Sequence, residues 1–248
     1  MDRLAPRTRP AGSPLMHQDW GDLLFMHWPL PPEVIQAQLP PRLQVDTFEG
    51  QAWIGIVPFR MWDVRSRITP PMPGVREFLE LNVRTYVHLD GVPGVWFFSL
   101  DATNPLAVWA ARNFFYLPYF RAHMKLERPA PDQLHYVGHR VHNGAPEGHF
   151  TATWQLGAPL PPTEPGSLEF FLSERYHLYA AGGGSQPGQG ERLYRGTIHH
   201  QPWPLREVEL LAYQSDLLAG HGLPTPDGAP HLLAGGPLHV DLWRLRQV

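Results

Sequence analysis

Glu80, Asn82, Arg84 and Tyr86 stand two residues apart in a strictly alternating segment, Glu80-Leu81-Asn82-Val83-Arg84-Thr85-Tyr86-Val87. Side chains two apart on a β-strand share a face. A carboxylate, an amide, a guanidinium and a phenol therefore project together, opposite Leu81, Val83 and Val87. Two settings fit this pattern. On the outside of a sheet it is an ordinary solvated face. On the inside of a closed sheet the same groups would line a polar pocket, bind a polar ligand and shift one another's pKa. The alternation by itself does not choose between them.

Further candidates lie downstream. Arg112 falls near the end of a predicted helix, either as a plain surface charge or as a partner for a carboxylate such as Glu80. Tyr119 follows the Leu117-Pro118 break, where a helix end turning into a strand can aim side chains at a cavity mouth. In Glu174-Arg175-Tyr176-His177-Leu178-Tyr179, alternation would place Arg175 with His177 and Tyr179. Arg175 is either a ligand-binding group or half of a structural ion pair with Glu174.

Other chemistries find little support. His199-His200 invites a metal reading, but adjacent strand residues face opposite ways, and no His-x-His or His-Glu-x-x-His spacing occurs. No catalytic metal and no cofactor is expected. There is no Gly-x-Ser-x-Gly elbow, and Gly182-Gly183-Gly184 does not open a helix, so it is not a phosphate loop. The chain has no cysteine, which removes thiolate catalysis and disulfides. It has one lysine, Lys125, against nineteen arginines. Alternation groups Lys125 with His123 and Glu127, a solvent-facing series.

The elements that must position these groups are mostly strands. Glycine and proline recur at short intervals among 248 residues that are 43% hydrophobic, as in sheets of many antiparallel strands. Leu43–Phe48 and Gln51–Phe59 read as strands about a turn at Glu49-Gly50. Phe78–Leu89 and Val92–Ala102 read as a long hairpin about Asp90-Gly91. Asn104 reads as an N-cap and Pro105 as the first residue of a helix to about Phe115, whose apolar residues are expected to form a buried face. Further strands are predicted at Phe120–Glu127, Leu134–Val141, His149–Leu156, Tyr176–Ala181, Leu193–His199, Glu207–Tyr213 and Leu238–Leu245. A short helix over Ser167–Arg175 is capped by Ser167. The expected fold is mainly β (α+β): one antiparallel, cone-like closed sheet with a few short helices around an internal cavity. Residues 1–16 are expected as a disordered tail, and residues 17–248 as a single domain.

A formal net charge of −3 supplies no basic field for nucleic acid, and no apolar run approaches a membrane span. A cytoplasmic protein whose partner is an unidentified small molecule is expected. Homo-oligomerisation through strand edges is left open.

Several stretches together resemble the uncharacterised YqjF-like family. They are Leu39-Pro40-Pro41-Arg42-Leu43, the strand from Ala52 to Phe59, the Glu80-to-Val87 segment, Gly94 to Asp101, Arg112 to Tyr119, Glu174-Arg175-Tyr176, and His199-His200-Gln201-Pro202-Trp203. A more distant resemblance runs to acetoacetate decarboxylase and its relatives, and implies the same cone-like sheet around a buried site. In those enzymes a lysine of lowered pKa forms an imine with the substrate ketone. The resemblance puts the decarboxylase glutamate on Glu80 and an arginine on Arg112. It puts the active-site Pro-Lys-Lys on Pro118-Tyr119-Phe120, so that Tyr119 stands where the imine-forming amine would be. A phenol cannot form an imine. An early active-site arginine falls near His27-Trp28-Pro29, where none is present.

Three functions follow as expectations. The first is an enzyme on a small carbonyl or carboxylate compound, with Glu80 as acid or base, Tyr119 as hydrogen-bond donor, and Asn82, Arg84, Arg112 and Arg175 holding the ligand. The second is a non-catalytic binder using the same cavity. The third is a scaffold whose cavity is packed shut.

Overall fold

A computed structural model describes residues 1–67 and 77–248. Its strands are β1 (Met16–Gly21), β2 (Leu23–Leu30), β3 (Gln44–Val45), β4 (Ala52–Ser66), β5 (Glu77–Leu89), β6 (Val92–Ala102), β7 (Tyr119–Ala130) and β8 (Gln133–Arg140). They continue with β9 (His149–Pro159), β10 (His177–Gly182), β11 (Arg192–His200), β12 (Leu205–Ser215), β13 (His231–Gly235), β14 (Leu238–Leu242) and β15 (Arg246–Gln247). Three short α-helices interrupt them, α1 (Pro32–Gln36), α2 (Pro105–Phe114) and α3 (Leu168–Ser173), along with 3-10 turns at Ala5–Arg7 and Ala219–His221.

Local chemistry accounts for the punctuation. Glu49-Gly50 and Asp90-Gly91 both adopt positive φ at each residue, 50° and 80° in the first pair and 51° and 79° in the second. Two left-handed residues in a row make the tight hairpin turn whose twist matches the flanking strands. The Asn104 carboxamide accepts from the backbone N–H groups of Leu106 and Ala107 at 3.0 and 2.9 Å, satisfying two of the orphan donors that open α2. Ser167 caps α3 through Phe170 N–H at 3.1 Å. The strand β2 was not foreseen. Its run Leu23-Leu24-Phe25-Met26-His27-Trp28 is buried on both faces, so it shows no alternation to read.

The strands form one mainly antiparallel sheet, and β5 holds the key position in it. It pairs antiparallel with β4 along Glu77–Thr85 and with β6 along Glu80–Leu89. Beyond β4 the sheet divides, because the first half of β4 pairs with β2 and the second half with β1. Beyond β6 it divides again, with Val95 and Trp96 beside β10 and Leu100 to Ala102 beside β7, both in parallel. The β6–α2–β7 crossover produces the second of these parallel pairs. Two closed circuits result, one through β7, β8, β9, β12, β13 and β2, the other through β10, β11, β14 and β1. The strands β4, β5 and β6 are common to both.

The first circuit is filled. Leu81, Val83 and Val87 of β5 pack there with Ile54, Ile56, Leu134, Tyr136, Phe150 and Trp154. The second circuit encloses a cavity of about 860 Å³, and the other face of β5 looks into it.

Two expectations differ from what is observed. The helix α2 does not present a buried apolar face: Val108 is buried, but Trp109 and Phe114 are 55% and 63% exposed. Ala107, Ala110 and Ala111 are among the residues lining the cavity, and the exposed Trp109 and Phe114 rings pack edge to face on each other with centroids 5.5 Å apart. The segment 1–16, read from its composition as a tail, includes three arginines that reach the body. Arg3 Nη2 lies 2.6 Å from Asp46 Oδ1, Arg7 stands over the Phe170 ring, and Arg9 pairs with Asp241 and stands over Trp243.

Candidate functional site

The polar corner of the cavity is built on three neighbouring strands. In register, Glu80 faces Ala102 on β6, and Leu100 on β6 faces Tyr119 on β7. Glu80 and Tyr119 thus lie one strand apart and two residues out of step, with Ala102 and Leu100 of β6 between their strands. Tyr119 is aimed by the end of α2. Tyr116 takes a left-handed φ of 54°, Pro118 bars further helix, and the chain re-enters the sheet at Tyr119. There the Tyr119 hydroxyl donates to Glu80 Oε2 at 2.6 Å.

Burial sets the electrostatics. The Glu80 side chain is buried, and desolvation raises its pKa to about 7 against the lowering effect of hydrogen bonds from Tyr119 and Asn82. Desolvation and the adjacent carboxylate push the Tyr119 phenol well above its ordinary value. Tyr136 donates from the filled side to the Glu80 carbonyl at 3.0 Å, fixing the strand at the point that carries the carboxylate.

Asn82 and Arg84 also face the cavity, as does Arg175 from the end of α3. The Arg84 Nη2 group donates to the Leu172 carbonyl at 3.2 Å and to Tyr86 Oη at 3.3 Å. Arg175 donates from Nε to the Phe171 carbonyl at 2.8 Å and from Nη1 to Asp46 Oδ2 at 2.7 Å. Its guanidinium stands 4.2 Å from the Phe171 ring centroid. In each residue one polar atom is buried without a partner among the described residues: Asn82 Oδ1, Arg84 Nε and Arg175 Nη2. Such atoms are costly to leave bare, and a ligand can satisfy them.

Behind Arg84 lies a second tier. Tyr86 is buried away from the cavity lining, with its hydroxyl 2.7 Å from both His27 Nε2 and the Leu172 carbonyl. The imidazole of His27 fits because its neighbour in register on β4 is Gly55, where a Cβ would fall 2.6 Å from the ring. Burial and the Arg84 charge hold His27 well below its ordinary pKa, so the ring stays neutral.

Several placements correct the expectations. Arg112 does not meet Glu80. Its Nη1 donates to the Tyr119 carbonyl at 2.8 Å and its Nη2 to Gln186 Oε1 at 2.9 Å, and it is not among the lining residues. It secures the backbone of Tyr119 because the last turn of α2 ends beside that carbonyl. Arg175 does not pair with Glu174. The Glu174 carboxylate instead accepts from the Tyr176 hydroxyl and, at 3.1 Å, from Trp203 N–H. The strand β10 begins only at His177, so the assumed alternation does not extend back to residues 174–176. Lys125, by contrast, lies where its alternation puts it, on the exterior, its side chain 70% exposed and paired with Glu127 at 2.7 Å.

Other lining residues were not assigned to the pocket from the sequence, although His177 and His200 were noticed there in other roles. Gln18 enters on β1 beside Trp20, Ser173 from α3, His177 from β10 and His200 from β11. Burial lowers His177 to about 4. The His200 ring is stacked on Tyr176 with centroids 4.6 Å apart and is held by the Gln201 carbonyl at 2.7 Å. Much of the remaining lining is apolar: Val57, Phe59, Met61, Phe78, Phe97 and Leu242.

Residues 17–237 match the family model DUF2071, described as an uncharacterised conserved protein. The chain is 41% identical over 239 residues to the uncharacterised protein YqjF of Bacillus subtilis (strain 168), a match covering 96% of this chain and 94% of that one. Among solved structures, it resembles an acetoacetate decarboxylase-like enzyme from Sphingomonas wittichii RW1, with a TM-score of 0.63, 13% identity, and 96% and 94% of the two chains covered. It likewise resembles acetoacetate decarboxylase from Legionella pneumophila, with a TM-score of 0.63, 14% identity, and 96% and 88% covered. At such identities the likeness is one of fold.

Proposed function

The chain belongs to the DUF2071 family of uncharacterised conserved proteins, and on that premise we propose that it is an enzyme acting on a small carbonyl or carboxylate compound by proton transfer, without a lysine imine. The observation that carries this reading is the buried 2.6 Å hydrogen bond from Tyr119 to Glu80 at the cavity wall. A carboxyl group with a pKa of about 7 is close to half-protonated at neutral pH, the condition under which one group can both take and return a proton. Glu80 would remove a proton from the carbon beside a carbonyl. Tyr119, kept protonated, would donate to the oxyanion that develops. The guanidinium groups of Arg84 and Arg175 would hold an anionic end, and Asn82 Oδ1 would accept from a hydroxyl or amide. With Lys125 outside and a phenol at position 119, covalent capture of a ketone has no amine to use.

A volume of about 860 Å³ lies within the range of about 300–1,000 Å³ of ligand pockets and exceeds the needs of a three- or four-carbon acid. The apolar lining supports a substrate with a hydrophobic body and one polar end. The same lining also favours a second reading, a binder without chemistry, since it would retain such a molecule whether or not Glu80 moved a proton. No helix among the described residues is long and apolar enough to cross a membrane, and a cytoplasmic setting completes the proposal.

Thermal shift over a panel of keto acids and carboxylates with aliphatic or aromatic bodies identifies the compounds that bind. Deuterium uptake by those compounds in heavy water, followed by NMR, reads the chemistry. Glu80→Gln is expected to keep its fold and binding while exchange falls at least about a hundredfold. A folded Glu80→Gln protein with unchanged exchange sinks the enzyme reading, and tight binding with no exchange in the wild type selects the binder.

A further inference from the structure

We propose that His17, His239 and Asp241 form a binding site for a divalent transition metal of the zinc class, on the outer face of the wall made by β1, β14 and β11. This site is independent of the cavity. Met16, Gln18 and Trp20 of β1 line the interior, so the alternate residues His17 and Asp19 point outward. On β14 Leu238 and Val240 pack inward and His239 and Asp241 point out. In register His17 faces Asp241, Asp19 faces His239, and His199 of β11 faces Asp241 from the other flank.

The side chains converge. One oxygen, Asp241 Oδ1, lies 2.5 Å from His17 Nδ1 and 3.3 Å from His239 Nε2. The three candidate ligand atoms all lie within 4.8 Å of one another. A tetrahedral zinc ion, with bonds of about 2.0–2.1 Å, separates its ligand atoms by roughly 3.3 Å, so small side-chain rotations suffice. A second observation points the same way. The other nitrogen of His239, Nδ1, is 2.8 Å from Asp19 Oδ1. A neutral imidazole has one N–H and one lone pair. With the N–H on Nδ1 given to Asp19, Nε2 presents its lone pair beside Asp241 Oδ1, where it can ligate a cation together with that oxygen. Carboxylate, imidazole and metal in line is how metal sites commonly orient their histidines.

Access and rigidity also suit an ion. The Asp241 side chain is buried and fixed, while His17 and His239 are open to solvent. Arg9 now occupies the other oxygen, Asp241 Oδ2, and its positive charge opposes a cation at Oδ1. The fourth position falls to water, with His199 in register beside Asp241 on β11.

The test uses untagged protein stripped with a chelator, titrated with zinc chloride by calorimetry and with cobalt chloride by visible absorption. One equivalent of either metal is expected, with cobalt ligand-field bands of nitrogen and oxygen coordination. His17→Ala and His239→Ala, both at solvent-open positions and checked for folding by circular dichroism, are each expected to weaken zinc binding at least about tenfold. Arg9→Ala is expected to tighten it, and His123→Ala, on the exposed side of β7, to leave it unchanged. Failure of the wild type to take up zinc at about millimolar concentration would overturn the proposal. So would one-equivalent uptake that persists unaltered in both His17→Ala and His239→Ala.

Discussion

The two sides of β5 meet opposite fates although they belong to the same strand. Toward β8 and β9, Leu81, Val83 and Val87 disappear into a filled interior with Tyr136, Phe150 and Trp154. Toward β1 and β14, Glu80 and Asn82 face a void. Polar groups occur on both sides, and their treatment differs. Near the filled side, Arg140 and Asp101 are both buried and joined by two hydrogen bonds of 2.7 and 2.9 Å, with Ser99 Oγ a further acceptor at 3.0 Å and Pro146 O another. On the hollow side, Asn82, Arg84 and Arg175 each keep an atom unpaired among the described residues, whereas on the filled side a single indole N–H, that of Trp154, does so. Closed networks hold a structure together, whereas open ones wait for a molecule to complete them.

The widest gap between the sides is expected in stability. Trp154→Ala, within the filled circuit, should lower the unfolding free energy by about 3–5 kcal/mol, measured by urea denaturation. Met61→Ala, beside a void that already exists, should cost less than half as much. Equal losses would erase the contrast.

The next effect is pH-dependent. The folded pKa of Glu80 is raised from 4.5 to about 7, so between those values the native state holds more protons than the unfolded state. The contribution of Glu80 to stability is then full below about pH 4.5 and falls as pH rises toward and through 7, by about 3 kcal/mol in all. Glu80→Gln should flatten this limb in denaturation curves taken across that range. Persistence of the limb in the variant would assign it to another group.

A smaller change is expected of Tyr119→Phe, which removes a donor to the charged form of Glu80. The carboxyl should titrate still higher by NMR, at a stability cost of about 1 kcal/mol. A downward move would mean that the hydrogen bond stabilises the protonated acid. Smallest of all, Lys125→Ala on the exterior should leave both thermal midpoint and ligand binding unchanged. Loss of binding there would return the amine to the chemistry.

Local chemistry made much of this molecule legible. Asp90-Gly91 announced the β5–β6 hairpin, and Asn104-Pro105 announced α2, because turns and caps depend on a few adjacent residues. The alternation at Glu80 to Val87 showed two faces but not their surroundings, since a cavity wall and a solvated wall share one pattern. Apolar periodicity in α2 likewise could not say that Trp109 would stand exposed. The choice left open for Arg112, surface charge or partner of a carboxylate, could not name its actual partners, because the Tyr119 carbonyl and the Gln186 amide carry no charge. The outer trio of His17, His239 and Asp241 joins residues more than two hundred positions apart. Only the His239-Val240-Asp241 spacing hinted that two of them share a strand face.

A strand bonded on both edges along most of its length has a consequence for how the molecule comes apart. Amide protons of β5 between Glu80 and Thr85 are locked by neighbours to left and right and should be among the slowest to exchange. Neither hydrophobic centre can melt without stripping one edge of the ribbon that the other requires. Two interiors therefore share a single cooperative transition, and calorimetry should record one peak where the architecture suggests two.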